Sequence, residues 1–381
     1  MKNCLYIIYL AGFCFFGGCK KKNAQFENLK NLSNPIITYE LYIDSLSSYK
    51  MLYPQYVFDG TTEKLLTLNY SLNRLDFYNL EEGYLENSIY YDPNLDYRKI
   101  SGYSFFNEDS IFLINEFNEL FLTNSEGEIR IKTNLKSADV PGKPHIVPGH
   151  LDLVVSGNHL EIANYFIAQK GSSSIIRIQN WNDETIEPIC PIEDEYVEGF
   201  HGIFEYLYWS YQQVGQCYYV NWPTSNSVYK YDRNWKFEKK INLEGKGQKK
   251  NRMILKKGLS QDDLKQKPSI SEMMDISSNY TSNFVFVNLL YNPYKEEFYR
   301  IVGYPIFNGV IDIFQTGLEN LKRNYSVMVF DKAFKFKDEY AIPYDQYLIK
   351  YGAYFVTKDG LAIQRENADH DDIAVFEVYQ F

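Results

Sequence analysis

The chain has 381 residues, 45% of them hydrophobic and 17% aromatic, including 35 Tyr and 26 Phe. A formal net charge of −10 argues against a nucleic-acid ligand, because affinity for a phosphate backbone comes largely from clustered Lys and Arg. Aromatic content of this order suits pleated, half-buried strands, and the scarcity of Ala argues against a helical solenoid.

The chain begins with an address. Lys2 precedes an apolar run from Leu5 to Phe16, followed by Gly17-Gly18-Cys19. A positive start, a short apolar stretch and small residues before the cut describe a signal peptide over residues 1–18. The run is short for a permanent membrane helix. Phe16-Gly17-Gly18-Cys19 resembles the bacterial lipobox, with Phe16 where Leu is usual. That resemblance implies a lipid on Cys19, which becomes the first mature residue and ties the protein to a membrane. An ordinary signal peptide with an incidental cysteine, and an uncleaved anchor, are the competing readings. Residues 19–34, opening with Lys20-Lys21-Lys22, read as a flexible linker. In lipoproteins like those of the Bacteroidetes, an acidic tract after the cysteine accompanies surface display. The basic tract here points to the outer membrane, facing the periplasm.

From residue 35 to 381 the chain repeats. Each copy has an alternating apolar strand, then Asn or Asp at a turn, then a charged strand. The copies are Arg74–Asn79, Leu120–Asn124, Ile175–Asn180, Val228–Asp232 and Val327–Asp331, with Ile373–Phe381 starting a sixth. Their spacing fits propeller blades. The long step from Asp232 to Asp331 is assigned to insertions at about 243–282 and 303–324. Two strand-like runs precede each turn. They are Gln55–Phe58 and Leu65–Leu68; Tyr103–Phe106 and Ile111–Ile114; Leu151–Val155 and His159–Ile162; Phe204–Trp209 and Cys217–Val220; Phe284–Val287 and Phe298–Val302; Tyr354–Val356 and Leu361–Ile363. The last unit lacks a fourth strand, and Ile37–Asp44 has no other partner, so it is expected to complete that unit and protect its edge. The predicted fold is all-β: a six-bladed β-propeller whose ring is closed by the N-terminal strand.

Sialidase boxes, Trp-Asp repeats and kelch Gly-Gly pairs are missing. With its lipobox and repeat texture, nearly the whole chain resembles a group of uncharacterised Bacteroidetes lipoproteins with TolB-like six-bladed propellers. The resemblance implies fold and location, and it carries no known activity.

Candidate chemistry is sparse. The sequence has no P-loop, no GxSxG, no Rossmann fingerprint and no CxxC pair. Cys190 and Cys217 fall in different predicted blades, leaving a disulfide or two thiols open. Blade topology puts the inter-blade loops, and those between second and third strands, on one face. His145, His150, His201 and His370 fall there, with both insertions. Glu198, Phe307 and Phe314 complete the candidate binding face, because long loops on a rigid scaffold carry binding. His145 and His150 bracket Ile-Val-Pro-Gly and cannot form a helical zinc pair. Asp194, Glu198 and His201 could join His150 in acid-base or metal chemistry, but backbone-bonded loop histidines are the simpler reading. Glu366–Asp372 reads as a solvated acidic loop rather than a calcium site. Lys246, Lys249, Lys250, Arg252, Lys256 and Lys257 could meet anionic lipid or an acidic partner. No catalytic residue, metal or cofactor is expected. The expected function is a membrane-anchored binding or scaffold propeller for an envelope protein, a peptide or a glycan. The alternative is a periplasmic hydrolase or lyase on the same face.

Overall fold

The computed structural model describes residues 24–92, 94, 97–135, 153–156, 159–163, 173–178, 186–191, 209–243, 245–246, 278, 281–306, 323–366 and 372–381. A short helix, α1 (Ala24–Glu27), precedes β1 (Lys30–Asn31) and β2 (Ile37–Tyr42). Sheet 1 follows with β3 (Gln55–Phe58), β4 (Glu63–Asn69), β5 (Arg74–Asn79) and β6 (Leu85–Tyr90). Sheet 2 has β7 (Ile100–Asn107), β8 (Ser110–Asn115), β9 (Glu119–Thr123) and β10 (Ile129–Asn134). Sheet 3 has β11 (Leu153–Ser156), β12 (His159–Ala163), β13 (Ser173–Ile178) and β14 (Ile186–Pro191). Sheet 4 has β15 (Ser210–Val214), β16 (Cys217–Asn221), β17 (Ser227–Asp232) and β18 (Phe237–Asn242). Sheet 5 has β19 (Val285–Asn292), β20 (Glu297–Gly303), β21 (Tyr325–Asp331) and β22 (Phe336–Ile342). Sheet 6 has β23 (Tyr354–Val356), β24 (Leu361–Gln364) and β25 (Ile373–Tyr379), with β2 as its fourth strand. The architecture is an all-β propeller.

Within each set of four strands neighbours run antiparallel, and β2 pairs with β25 from Ile37↔Val378 to Tyr42↔Ile373. Buried apolar clusters sit between consecutive sheets. Leu66, Leu75, Tyr103 and Leu113 join sheets 1 and 2. Phe112, Ile114, Leu160 and Ile162 join sheets 2 and 3. Cys190 meets Tyr211, Tyr218 and Trp235 between sheets 3 and 4. Val228 meets Phe286 and Phe298 between 4 and 5, and Tyr299 and Val327 meet Leu361 and Ile363 between 5 and 6. Leu41 and Phe376 meet Leu65 and Tyr78 between 6 and 1. Glu63 cross-links that last junction: it accepts from Tyr39 Oη at 2.7 Å, Tyr56 Oη at 3.1 Å and Lys358 Nζ at 2.6 Å. Burial opposes its charge, but these donors outweigh burial and hold its pKa below the usual value.

The repeated turn has a physical cause. Asn79, Asn124, Asp232 and Asp331 each end a third strand, and each Oδ1 accepts two backbone N–H groups just ahead of it. The chain then passes through the left-handed region at Gly83, Gly127, Trp235 and Phe334 (φ 60–77°). A β-bulge accompanies each turn. An Asx side chain replaces the backbone acceptor a tight turn lacks, which is why the sequence marks this corner with Asn or Asp.

Two expectations need correction. Phe204–Trp209 is not the first strand of sheet 4: residues 204–208 lie outside the described residues, and the strand is Ser210–Val214. Its partner register, Val214↔Cys217, is set by the two-residue turn Gly215-Gln216, with Gly215 at φ 62°. Polar Gln212 and Gln213 hid the strand from a reading based on apolar alternation. The expected flexible linker, residues 19–34, is docked in its described part, where contacts begin at Phe26. Leu29 is buried in the core between sheets 4 and 5, Phe26 packs edge-on against Tyr304 (5.2 Å), and β1 pairs parallel with β22. Cys190 and Cys217 form no disulfide.

Asp338 anchors this N-terminal segment by pairing with Lys30 and, at 2.8 Å, with Lys246. Burial works against its charge, yet the two lysines hold its pKa down to about 2. A carboxylate depressed in the folded state stabilises above its unfolded value of 3.8 and loses that contribution as pH falls toward about 2. Protection of the amides at residues 29–31, taken relative to intrinsic exchange at the same pH, is therefore expected to fall between about pH 4 and pH 2. In Asp338→Asn that protection is expected to be lost already at pH 7. Slow exchange in that variant would show that apolar docking alone holds the segment.

Candidate binding cavity

The first strand of each sheet is innermost, and the chain reaches it from the fourth strand of the sheet before. The ends where these connections lie, together with the β4–β5 and β20–β21 connections, are here termed the upper face. Both insertions connect elements that end there: β18 to β19 and β20 to β21.

A cavity of about 450 Å³ lies among β3, β15, β19 and β23, its lining running from Val285 at the upper end of β19 to Tyr291 near the lower end. Its volume lies in the range of small-ligand sites. Tyr53, Tyr56, Trp209, Tyr291, Tyr325 and Phe355 supply aromatic wall. Side chains stitch the inner strands. Gln55 Nε2 donates to Phe105 O (2.6 Å) and its Oε1 accepts from Phe105 N (2.8 Å), so one amide links β3 to β7. Ser210 Oγ accepts from Leu289 N and Gln212 Oε1 from Tyr291 N, linking β15 to β19. These bonds satisfy backbone donors where neighbouring inner strands do not pair directly.

Two features set this cavity apart from a packing defect. β19 bulges between Phe286 and Asn288, and Asn288 lines the cavity with a buried Oδ1 that has no hydrogen-bond partner among the described residues. An unmet buried acceptor costs about 1–3 kcal/mol unless a ligand or water donates to it. Tyr53 lies at φ 47°, an uncommon conformation for a bulky residue, and its ring lies against Gly352. Gly352 is itself left-handed (φ 67°) and donates to Ile349 O at 3.0 Å, ending the turn Ile349–Tyr351. A Cβ there would stand 2.5 Å from the Tyr53 ring. Gly352→Ala is therefore expected to displace that ring and to cost about 1–2 kcal/mol from the left-handed backbone alone. An unchanged near-UV circular dichroism spectrum and melting temperature would contradict this.

Arg323 Nη1 donates to Asn283 O and Tyr304 O, both at 2.9 Å, at the cavity wall. Gly303 permits it, since a Cβ there would lie 2.6 Å from Arg323 Cδ. Tyr56, which faces Glu63, has its phenol pKa raised by burial and then by that carboxylate, so it stays a neutral donor. The described lining can hold a ring or short chain by contact, and fix it through Asn288 and Lys350.

A smaller cavity of about 280 Å³ lies between the 43–54 connection and the β4–β5 turn, beside Asp76. Burial raises the Asp76 pKa, against the pull of Arg74 and Ser88. Arg74 also pairs with Asp44 at 2.6 Å, so this charged group is engaged in joining β2 to sheet 1.

All residues expected from the sequence to form the binding face lie outside the described residues: His145, His150, Glu198, His201, Phe307, Phe314 and His370, and likewise Asp194 and Cys19. The cavity residues were missed because each sits in or beside a strand whose apolar pattern accounts for it. Tyr53-Pro54-Gln55, a rigid corner leading into an inner strand, was the one available signal. Among the described residues no group of three or more His, Cys, Asp or Glu is placed to hold a metal ion.

Comparison with known proteins agrees with the architecture. A family profile described as "Domain of unknown function (DUF4221)" matches residues 38–339. The chain is similar to a crystal structure of a DUF4221 member from Bacteroides vulgatus, with 15% identity, a TM-score of 0.69, and coverage of 92% of this chain and 98% of that one. It is also similar to a Bacteroides fragilis protein described as a "Putative exported protein", with 11% identity, a TM-score of 0.50, and coverage of 93% and 99%. At these identities the likeness concerns the fold. No curated protein matches the sequence. The sequence-based resemblance to uncharacterised Bacteroidetes propellers is thus met by a family of unknown function with Bacteroides structural neighbours.

Proposed function

This chain belongs to the DUF4221 family, a domain of unknown function, and from its own geometry we propose that it is a lipid-anchored, non-catalytic binding propeller. Its upper face takes a protein, peptide or glycan whose terminal group inserts into the 450 Å³ cavity. The observation that carries this reading is the aromatic wall around the unmet Asn288 acceptor and the strained Tyr53. Such a wall suits sugar rings and aromatic or aliphatic side chains alike. The six sheets act as six blades of one ring, with β2 as the closing strand; its pairing with β25 and the core between sheets 6 and 1 support this. Cys19 carries the lipid, and the protein sits in the outer membrane facing the periplasm. The signal-like N-terminus supports that location, as does a structural neighbour described as exported.

The test is to screen the full lipidated chain in detergent against arrayed glycans and envelope-derived peptides, then to repeat each hit with Asn288→Leu and Tyr56→Ala. Loss of about tenfold or more in affinity, at roughly 1.4 kcal/mol per decade, is expected for a cavity ligand. Hits indifferent to both variants, or turnover of a hit, would reject this reading, the latter in favour of a hydrolase or lyase.

A further inference from the structure

We infer that the upper face, the one to which both insertions connect, is the membrane-proximal face of the propeller, held against the lipid headgroups by a short leash. This rests on the lipid at Cys19 proposed above and adds an orientation to it.

A free linker over residues 19–34 would wander: as a flexible coil of that length it has a root-mean-square span of about 22 Å and prescribes no orientation. The observed N-terminal segment is fixed instead. Phe26 meets Tyr304 at 5.2 Å, and Phe284 meets the same ring at 5.2 Å. Tyr304 follows the upper end of β20, and Phe284 precedes the upper end of β19. Leu29 N donates to Phe26 O, Leu29 is buried, and Lys30 and Asn31 pair with Tyr340 and Ala341 near the upper end of β22. The described chain therefore begins at the upper rim of sheet 5. Only residues 20–23 separate Cys19 from Ala24, a covalent reach of at most about 18 Å. The opposite end of that sheet lies further by the length of β21, roughly 20 Å at ~3.3 Å per residue. A lipid on Cys19 thus holds the upper rim near the bilayer and leaves the lower ends outward.

The consequence for the ligand is steric. Whatever enters the cavity from its upper end passes between propeller and membrane, which suits an extended peptide, a glycan chain or the headgroup of an amphiphile better than a folded globular partner.

The experiment uses the full lipidated chain in phosphatidylcholine vesicles that carry a nitroxide on a fraction of headgroups. Cys217→Ser removes the partly exposed thiol, and a fluorophore is placed at Ser282→Cys or Lys332→Cys, exposed positions at the upper and lower ends of sheet 5. Loss of fluorescence is expected at Ser282 and none at Lys332. A Gly/Ser insert of about 20 residues after Lys22, adding roughly 25 Å of coil, is expected to abolish the difference; so is Phe26→Ser combined with Leu29→Ser. Equal loss at both positions, greater loss at Lys332, or a difference that survives the insert overturns the orientation while leaving the tether intact. Failure of the protein to float with vesicles overturns the tether, and the orientation with it.

Discussion

Trp235→Ala is expected to destabilise the protein by about 3–5 kcal/mol, measured by denaturant unfolding. Trp235 is a bulky residue at φ 60° and is tolerated only because its surroundings compensate. Its ring stacks on Tyr218 at 4.0 Å and 7°, and its Nε1 donates at 2.8 Å to Glu161, a carboxylate 2% exposed on β12 of the preceding sheet. Glu161 also accepts from Tyr218 Oη at 3.1 Å and from Arg177 at 2.7 Å. One side chain therefore closes a hairpin corner, fills the core between sheets 3 and 4, and satisfies a buried charge. Trp235→Phe separates these roles: it keeps the stack, loses the donor, and is expected to cost about 1–2 kcal/mol. A cost for Trp235→Ala no larger than for Trp235→Phe would mean the stack contributes little. Phe334 occupies the same corner of sheet 5 and stacks on Phe298 at 4.2 Å, without an equivalent carboxylate contact. Phe334→Ala is accordingly expected to cost less than Trp235→Ala.

Arg300→Ala is the second large effect, expected at roughly 3–5 kcal/mol because several buried acceptors lose their donors together. Arg300 is fully buried on β20 and makes no ion pair among the described residues. It donates through Nε to Asn221 Oδ1 at 2.7 Å, through Nη1 to Asn226 O at 2.9 Å and through Nη2 to Ser225 O at 2.6 Å. Its guanidinium lies over the Phe286 ring at 4.0 Å. Burial drives its pKa down to about 9, which still leaves it charged at neutral pH. It ties the β16–β17 turn of sheet 4 to sheet 5, at the upper face beside the cavity. Arg300→Lys is not conservative here, because one ammonium cannot reach acceptors spread across a planar fork. It is expected to recover less than half of the loss on unfolding. Full recovery would mean that charge rather than geometry matters at this junction.

Much of the fold was legible because two signals coincide along the chain. Alternation marks strands such as β5 and β21, and the Asx side chain that closes the following corner is itself a residue type. β2 could be matched to the last sheet because both β2 and β25 were left without a partner. The start of sheet 4 was misread because Phe204–Trp209 is apolar, whereas β15 carries Gln212, whose oxygen serves a neighbouring strand. Docking of the N-terminal segment was invisible for a related reason. β1 is two residues long, and isolated Phe26 and Leu29 set no period. The cavity was hidden more deeply, since its wall is assembled from four separate sheets, and alternation does not reveal the bulge of β19 between Phe286 and Asn288.

The union of β2 with β25 carries a consequence for how the chain acquires its shape. Ile37 pairs with Val378, so β2 waits for residues more than 300 positions later in the chain before it finds its place. Contacts that distant in sequence form slowly, because the whole intervening polypeptide must be gathered first. Until β25 has been made, β2 has no partner strand. Cutting the gene before codon 373 would leave Ile37–Tyr42 as a bare, sticky border for neighbours to adopt.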